Sequence, residues 1–174
     1  MILAFCAAPT VAAWLAYFVW QPQSRTNYGE LIEPRALPDP EMRLLDGKPF
    51  RLSQLRGKWV LLQIDSAACG DACRKKLVYM RQARLALGKD AERVERVWLI
   101  DDAAAPDPAL LREHEGLTVP RAPREALVDP FPSATAHIYL VDPLGNVMLR
   151  FPGDPDGRRM LRDLARLLRV SRVG

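Results

Sequence analysis

Trp59-Val60-Leu61-Leu62-Gln63-Ile64 is a nearly continuous apolar run, and soon after it stands Cys69-Gly70-Asp71-Ala72-Cys73. The run reads as a central strand buried on both faces. The cysteines read as opening a helix over about residues 70–87, ended by Gly88. Four residues apart at a helix start, two thiols lie on one face and close together. The positive end of the helix dipole favours thiolate over thiol. Arg74, Lys75 and Lys76 add positive charge nearby, and Asp71 works against them. Such a pair either cycles between dithiol and disulfide or holds a soft metal ion such as Cu(I). The plainer alternative is two core cysteines, since free Cys is among the most buried residue types. The β-carbons of an i,i+4 pair in a regular helix stand about 5–6 Å apart, whereas a disulfide wants about 3.5–4.5 Å. A Cys69–Cys73 disulfide therefore predicts a first turn that is distorted or opened.

Outward from this centre, Met42-Arg43-Leu44-Leu45 and Pro49-Phe50-Arg51-Leu52 flank Asp46-Gly47, a strong hairpin signal. Val94 to Ile100 reads as the next strand, closed by Asp101-Asp102. Asp107 is placed to cap a short helix with Pro108 in its first turn. Residues 116–133 read as a long proline-rich loop, and such loops in a compact domain are often functional. Ala136 to Asp142 and Asn146 to Phe151 form a second hairpin around Pro143-Leu144-Gly145. Asp156 to Arg169 closes the chain as a helix with Leu161, Leu164 and Leu168 facing inward. Its arginines, Arg158, Arg159, Arg162, Arg166 and Arg169, read as a solvated face, or one that touches anionic lipid or an acidic partner.

The 174 residues suit one globular domain plus an appendage. A net charge of +4 is mildly basic. With no zinc-finger spacing, phosphate loop or stacking-aromatic motif, the chain does not read as a nucleic-acid binder. Cys6 is the only other cysteine, so there is neither a disulfide framework nor a multi-cysteine zinc site. Ile2 to Trp20 carries no charge, about the length needed to cross a hydrocarbon core. Trp14, Tyr17 and Trp20 gather toward its end, as interfacial aromatics do. Large aromatics where small residues should mark a cleavage site argue against a cleaved signal. The expected organisation is a transmembrane helix over residues 1–21, a proline-rich tether over 22–39 and a folded domain over 40–174. Counted literally, Arg25 and Arg35 after the span place the domain in the cytoplasm. The abrupt apolar start reads instead as a gene model missing a basic segment upstream. A disulfide or metal pair fits an oxidising compartment. The expectation is a single-pass inner-membrane protein of bacterial type with its domain in the periplasm.

The order hairpin, strand, helix, strand, helix, hairpin, helix, with cysteines between the first long strand and its helix, is the thioredoxin arrangement. From Met42 onward the chain also resembles the Sco/SenC family, membrane-anchored thioredoxin-like proteins of cytochrome c oxidase assembly. Cys69, Asp71 and Cys73 match its C-P-D-x-C-P motif, with Gly70 and Arg74 in place of the prolines. Leu55-Arg56-Gly57-Lys58-Trp59-Val60 is similar to the family's L-x-G-K-x-V, and Tyr139-Leu140-Val141-Asp142-Pro143-Leu144-Gly145 to its Y-L-V-D-P-x-G. Sco-type copper proteins carry a third ligand, a histidine five residues before that tyrosine, where this chain has Ala134. His137 stands two residues before Tyr139. Three residues along an extended segment amount to roughly 10 Å and the opposite face. His137 thus reads either as a metal ligand or proton donor, or as a half-buried strand residue. His114, between Glu113 and Glu115, reads as solvated.

The resemblance implies an assembly factor that acts by thiol–disulfide exchange on a copper-site dithiol in the copper-bearing oxidase subunit. Cys69, the N-terminal and in such proteins usually exposed thiol, would attack, and Cys73 would resolve. The alternatives are a chaperone that carries Cu(I) on Cys69 and Cys73, with or without His137, and a membrane-tethered interaction module with structural cysteines.

Overall fold

The computed structural model describes residues 27–122, 131 and 133–171, together with Pro9 and Trp14. Among these residues no helix is long and apolar enough to cross a membrane. Apart from Pro9 and Trp14, the expected span lies outside the described residues, as does much of the expected long loop.

The Trp59–Asp65 run forms strand β4 and is almost wholly buried. It lies inside one eight-stranded mixed sheet of order β1-β8-β7-β4-β5-β6-β2-β3. The others are β1 (Glu30–Ala36), β2 (Met42–Leu44), β3 (Pro49–Phe50), β5 (Val94–Ile100), β6 (Pro120–Arg121), β7 (His137–Val141) and β8 (Asn146–Pro152). β4 runs parallel to β5 and antiparallel to β7, with Leu62 opposite both Val97 and Tyr139. Helices α1 (Asp71–Ala86), α2 (Pro108–Glu113) and α3 (Gly157–Val170) complete the fold. Gly47, at φ 83°, makes the β2–β3 turn, a conformation glycine adopts without steric cost.

Strand alternation sorts the core onto two faces. Val60, Leu62 and Ile64 pack with Met42, Phe50, Val97, Leu99, Phe131 and Tyr139. Trp59 and Leu61 lie on the opposite face, where Met80 of α1 and Met160, Leu164 and Leu168 of α3 cover Ile138, Leu140 and Phe151. A third cluster on the helix side joins Cys69, Cys73 and Leu77 to Trp98, Ile100 and Leu110.

Three expectations are corrected. Residues 30–36, assigned to the tether, form β1 along the edge of β8. Most of that strand's side chains are exposed; main-chain pairing, the Glu30–Arg150 ion pair and Ile32 against the core hold it, and no apolar pattern announces it. Its register shifts between Leu31 and Arg35, around Pro34, which has no N–H to give the ladder. The expected loop begins with ordered backbone, a Val97–Thr118 bridge and then β6 beside β5. On α3 the inward stripe is Met160, Asp163, Leu164 and Leu168, while Leu161 is only half-buried. Asp163 is buried because its carboxylate accepts the Gly29 amide at 2.8 Å.

Candidate functional site

The chain between β4 and α1 is held by side chains that acidic and hydroxyl chemistry supplies. The Asp102 carboxylate, just past β5, accepts the Ser66 hydroxyl and, at 3.3 Å, the Ala67 amide. The Ser66 bond holds the Asp102 carboxyl below its ordinary range, with the Ala67 and Ala104 amides and Arg121 adding to it. Ser66 Oγ then accepts the Ala68 amide at 3.1 Å. The next residue is Cys69, with a φ of 40°, in the left-handed region that non-glycine residues seldom enter. Gly70 is the N-cap, so Cys69 stands outside α1 and Cys73 inside its first turn.

The two cysteines form a disulfide with Cα atoms 5.0 Å apart. The opened first turn that the spacing predicts is thus met by putting Cys69 outside the helix in a left-handed conformation. The helix start still faces the pair, with Arg74 Nε donating to the Cys69 carbonyl at 3.2 Å. The exposure expected of Cys69 is not found. Cys69 is 1% exposed and Cys73 2%, both packed in the cluster with Trp98 and Leu110.

Beneath the disulfide, two polar residues of β4 face two residues of α1. Gln63 and Asp65 share a face by strand alternation, and Cys73 and Lys76 share one at i,i+3 of the helix. Gln63 Nε2 lies 3.3 Å from Cys73 Sγ, and Gln63 is fully buried. Lys76, also buried, places its ammonium 2.9 Å from Asp65 Oδ2 and 2.6 Å from the Thr135 carbonyl. One cation thereby joins α1, the end of β4 and the turn before β7. Reading the apolar run by its composition missed both residues. Their alternation with Trp59 and Leu61, on the same face as the helix, is the signal that marks them.

His137 takes the half-buried strand position that one of its two expected readings gave it, whereas His114 departs from expectation. His137 opens β7 with Nδ1 3.2 Å from the Ser133 carbonyl and its ring 6.0 Å from that of Tyr139. Tyr139 belongs to the face turned away from the helices, whereas Cys73 lies on the helix side. Ala134 to Ala136 is a single 3-10 turn and not extended chain, so the two positions are offset by about 6 Å rather than 10 Å. No three His, Cys, Asp or Glu side chains come together as a metal-holding group among the described residues. The structure unites Cys69 with Cys73 and leaves His137 apart. His114, expected in solvent, is 2% exposed. Burial lowers its pKa, and the Arg81 and Arg96 charges lower it further. The five arginines of α3 are exposed, as expected.

A disulfide at the junction of a central strand and its helix, inside a mixed sheet, defines a protein of the thioredoxin-like class. The chain belongs to the transmembrane-like, thioredoxin-like, C-terminal domain family, whose pattern matches residues 59–171. No curated protein matches the sequence. Among solved structures it is similar to apo Sco1 of Thermus thermophilus, with 23% identity and a TM-score of 0.67 over 83% of this chain and 99% of that one. It is also similar to ScoI of Bradyrhizobium japonicum with copper bound, at 21% identity and TM-score 0.61, covering 76% and 99%. The thioredoxin domain of a thiol-disulfide oxidoreductase from Bacteroides vulgatus matches at 22% and 0.60, covering 80% and 99%. At these identities the likeness is one of fold.

Proposed function

We propose that the chain is a membrane-anchored, Sco-like assembly factor for cytochrome c oxidase, acting by thiol–disulfide exchange on a copper-site dithiol. The observation that carries this reading is the unequal placement of the two sulfurs. Cys73 is fixed within α1 and against Gln63, whereas Cys69 sits on the connecting chain outside the helix. Cys69 is therefore the sulfur that a small opening of residues 66–70 presents to a partner. Its thiolate attacks a partner disulfide, one partner thiolate leaves, and a mixed disulfide forms. The Cys73 thiolate then attacks Cys69 Sγ, releasing the second partner thiolate and forming the Cys69–Cys73 disulfide. Two electrons pass from this chain to the partner, and a dithiol reductant returns it to the reduced form.

Anchoring by residues 1–21 with the domain in the periplasm belongs to the same proposal, because an exchangeable disulfide fits an oxidising compartment. Tyr28 and Gly29 are already docked, Tyr28 on the Asp156 amide and Gly29 on Asp163. That leaves residues 22–27 as the tether, at most about 20 Å long. A reduced pair offers two thiolates, a donor set suited to Cu(I). Copper as cargo is the second reading, favoured by the copper in the Bradyrhizobium ScoI structure. The burial of both cysteines favours a third, a structural disulfide in an interaction module.

The test is the Cys73→Ser chain, which cannot resolve. Expressed beside an oxidase, it should be captured from membranes as a mixed disulfide between Cys69 and the copper-bearing subunit. Capture that persists in Cys69→Ser/Cys73→Ser, or no capture while the wild-type disulfide resists reduction in the folded protein, overturns the reading in favour of a structural bridge.

A further inference from the structure

Gln63 is an uncharged polar side chain sealed under the disulfide. Its Nε2 donates toward Cys73 Sγ at 3.3 Å, and its Oε1 is buried with no hydrogen-bond partner. Leaving a buried acceptor unsatisfied is costly, because it loses its water partners and gains none. A methionine would fill the same space without that cost. The amide is nonetheless matched to each state its neighbour passes through. A disulfide sulfur carries no proton, so only the NH2 end can face it, which leaves Oε1 idle. When the bond is cleaved with Cys73 as the leaving group, the sulfur becomes a thiolate. The same N–H then makes a charge-assisted bond, roughly twice as strong as a neutral one. If that thiolate takes a proton, the new S–H is a donor. Rotation of the amide about its last bond turns the idle Oε1 to receive it.

We infer that Gln63 is a positioning residue for the Cys69–Cys73 couple, holding Cys73 Sγ as disulfide, thiolate and thiol and favouring the reduced states. This rests on the exchange reading above but not on the identity of the partner. In the attack of Cys73 on the mixed disulfide, the amide raises the fraction of Cys73 present as thiolate. In the reverse direction it receives the charge that Cys73 takes as the S–S bond breaks. Because Gln63 neither gains nor loses a proton, it does this without adding a titration of its own.

The experiment compares wild type with Gln63→Met and Gln63→Glu as full chains in detergent micelles, equilibrated with dithiothreitol in its reduced and oxidised forms. Thiolate absorbance is titrated in parallel. Gln63→Met should shift the equilibrium about tenfold toward the disulfide, about 30 mV for a two-electron couple, and raise the Cys73 thiol pKa. Gln63→Glu keeps the shape but adds a carboxylate. It should shift the equilibrium further and make the shift grow with pH. If Gln63 only fills space, Gln63→Met keeps the wild-type equilibrium and thiolate titration, and that result overturns the inference alone. A folded wild-type chain whose disulfide cannot be reduced overturns the exchange reading, and the inference falls with it. Should Gln63→Met fail to fold, Gln63→Leu, which also removes the amide without adding a charge, decides the matter by the same two readouts.

Discussion

If the reduced pair holds Cu(I), its affinity turns on which side chains share a face of the sheet. A third donor would stiffen a two-thiolate site, and His137 is the obvious candidate by residue type. Yet its ring lies against Tyr139 on the side away from α1. Reaching Cys73 would require β7 to give up its first residues, His137 opposite Pro152 and Ile138 opposite Phe151. The reduced chain should therefore bind Cu(I) with nearly the same affinity after His137→Ala, within about twofold, whereas Cys73→Ser should lose at least tenfold. Competition with a colorimetric Cu(I) chelator measures both. A large loss on His137→Ala would place the histidine in the site and make copper carriage the better reading. Cu(II), which prefers further nitrogen or oxygen donors, should bind more weakly than Cu(I) for the same reason.

At the level of elements, α1 is tied to the sheet by a buried cation as well as by apolar packing. Lys76 has one carboxylate and one carbonyl as partners, Asp65 and Thr135. Replacing it with methionine leaves the Asp65 charge without its partner and the Thr135 carbonyl unmet. The loss expected is about 3 kcal/mol by urea unfolding. The double change Lys76→Met/Asp65→Leu should recover most of it, because an apolar pair of similar volume is often neutral. A double variant no better than the single one would show that the Thr135 bond dominates. The elements around this pair are those whose signals are local. A nearly continuous apolar run marks β4, Asp107 marks the start of α2 by accepting the Ala109 amide, and Asp46-Gly47 marks the first hairpin. β1 and β6 carry no such signal, since main-chain pairing to a neighbour defines them. The cysteine pair is equally legible from spacing alone. Its burial, the Gln63 contact and the position of His137 depend on which strand lies beside β4, and spacing cannot supply that.

For the molecule as a whole, the pH dependence of stability should be set near neutrality by His114. The ring sits at the end of α2 with its Nδ1 buried and without a hydrogen-bond partner. Around it stand Arg81, whose guanidinium donates to the Glu113 carbonyl, and Arg96, which donates to the Glu115 carbonyl. The Glu113 carboxylate acts in the other direction. Burial and two arginines thus keep the ring neutral in the folded chain below its ordinary value of 6.5. The sign follows from linkage. As the pH falls through 6.5 the unfolded chain takes up a proton that the folded chain refuses, so unfolding becomes easier. The stabilising contribution is complete above pH 6.5 and is lost as the pH drops toward the lowered value. Asp102 and Asp107 are also held below their ordinary 3.8, which confines their effect to more acidic solution. Urea midpoints should accordingly fall between pH 7 and pH 5, and His114→Gln, which cannot titrate, should flatten that slope. A wild-type midpoint that stays level over this range, or a variant that keeps the full slope, would assign the dependence to another group.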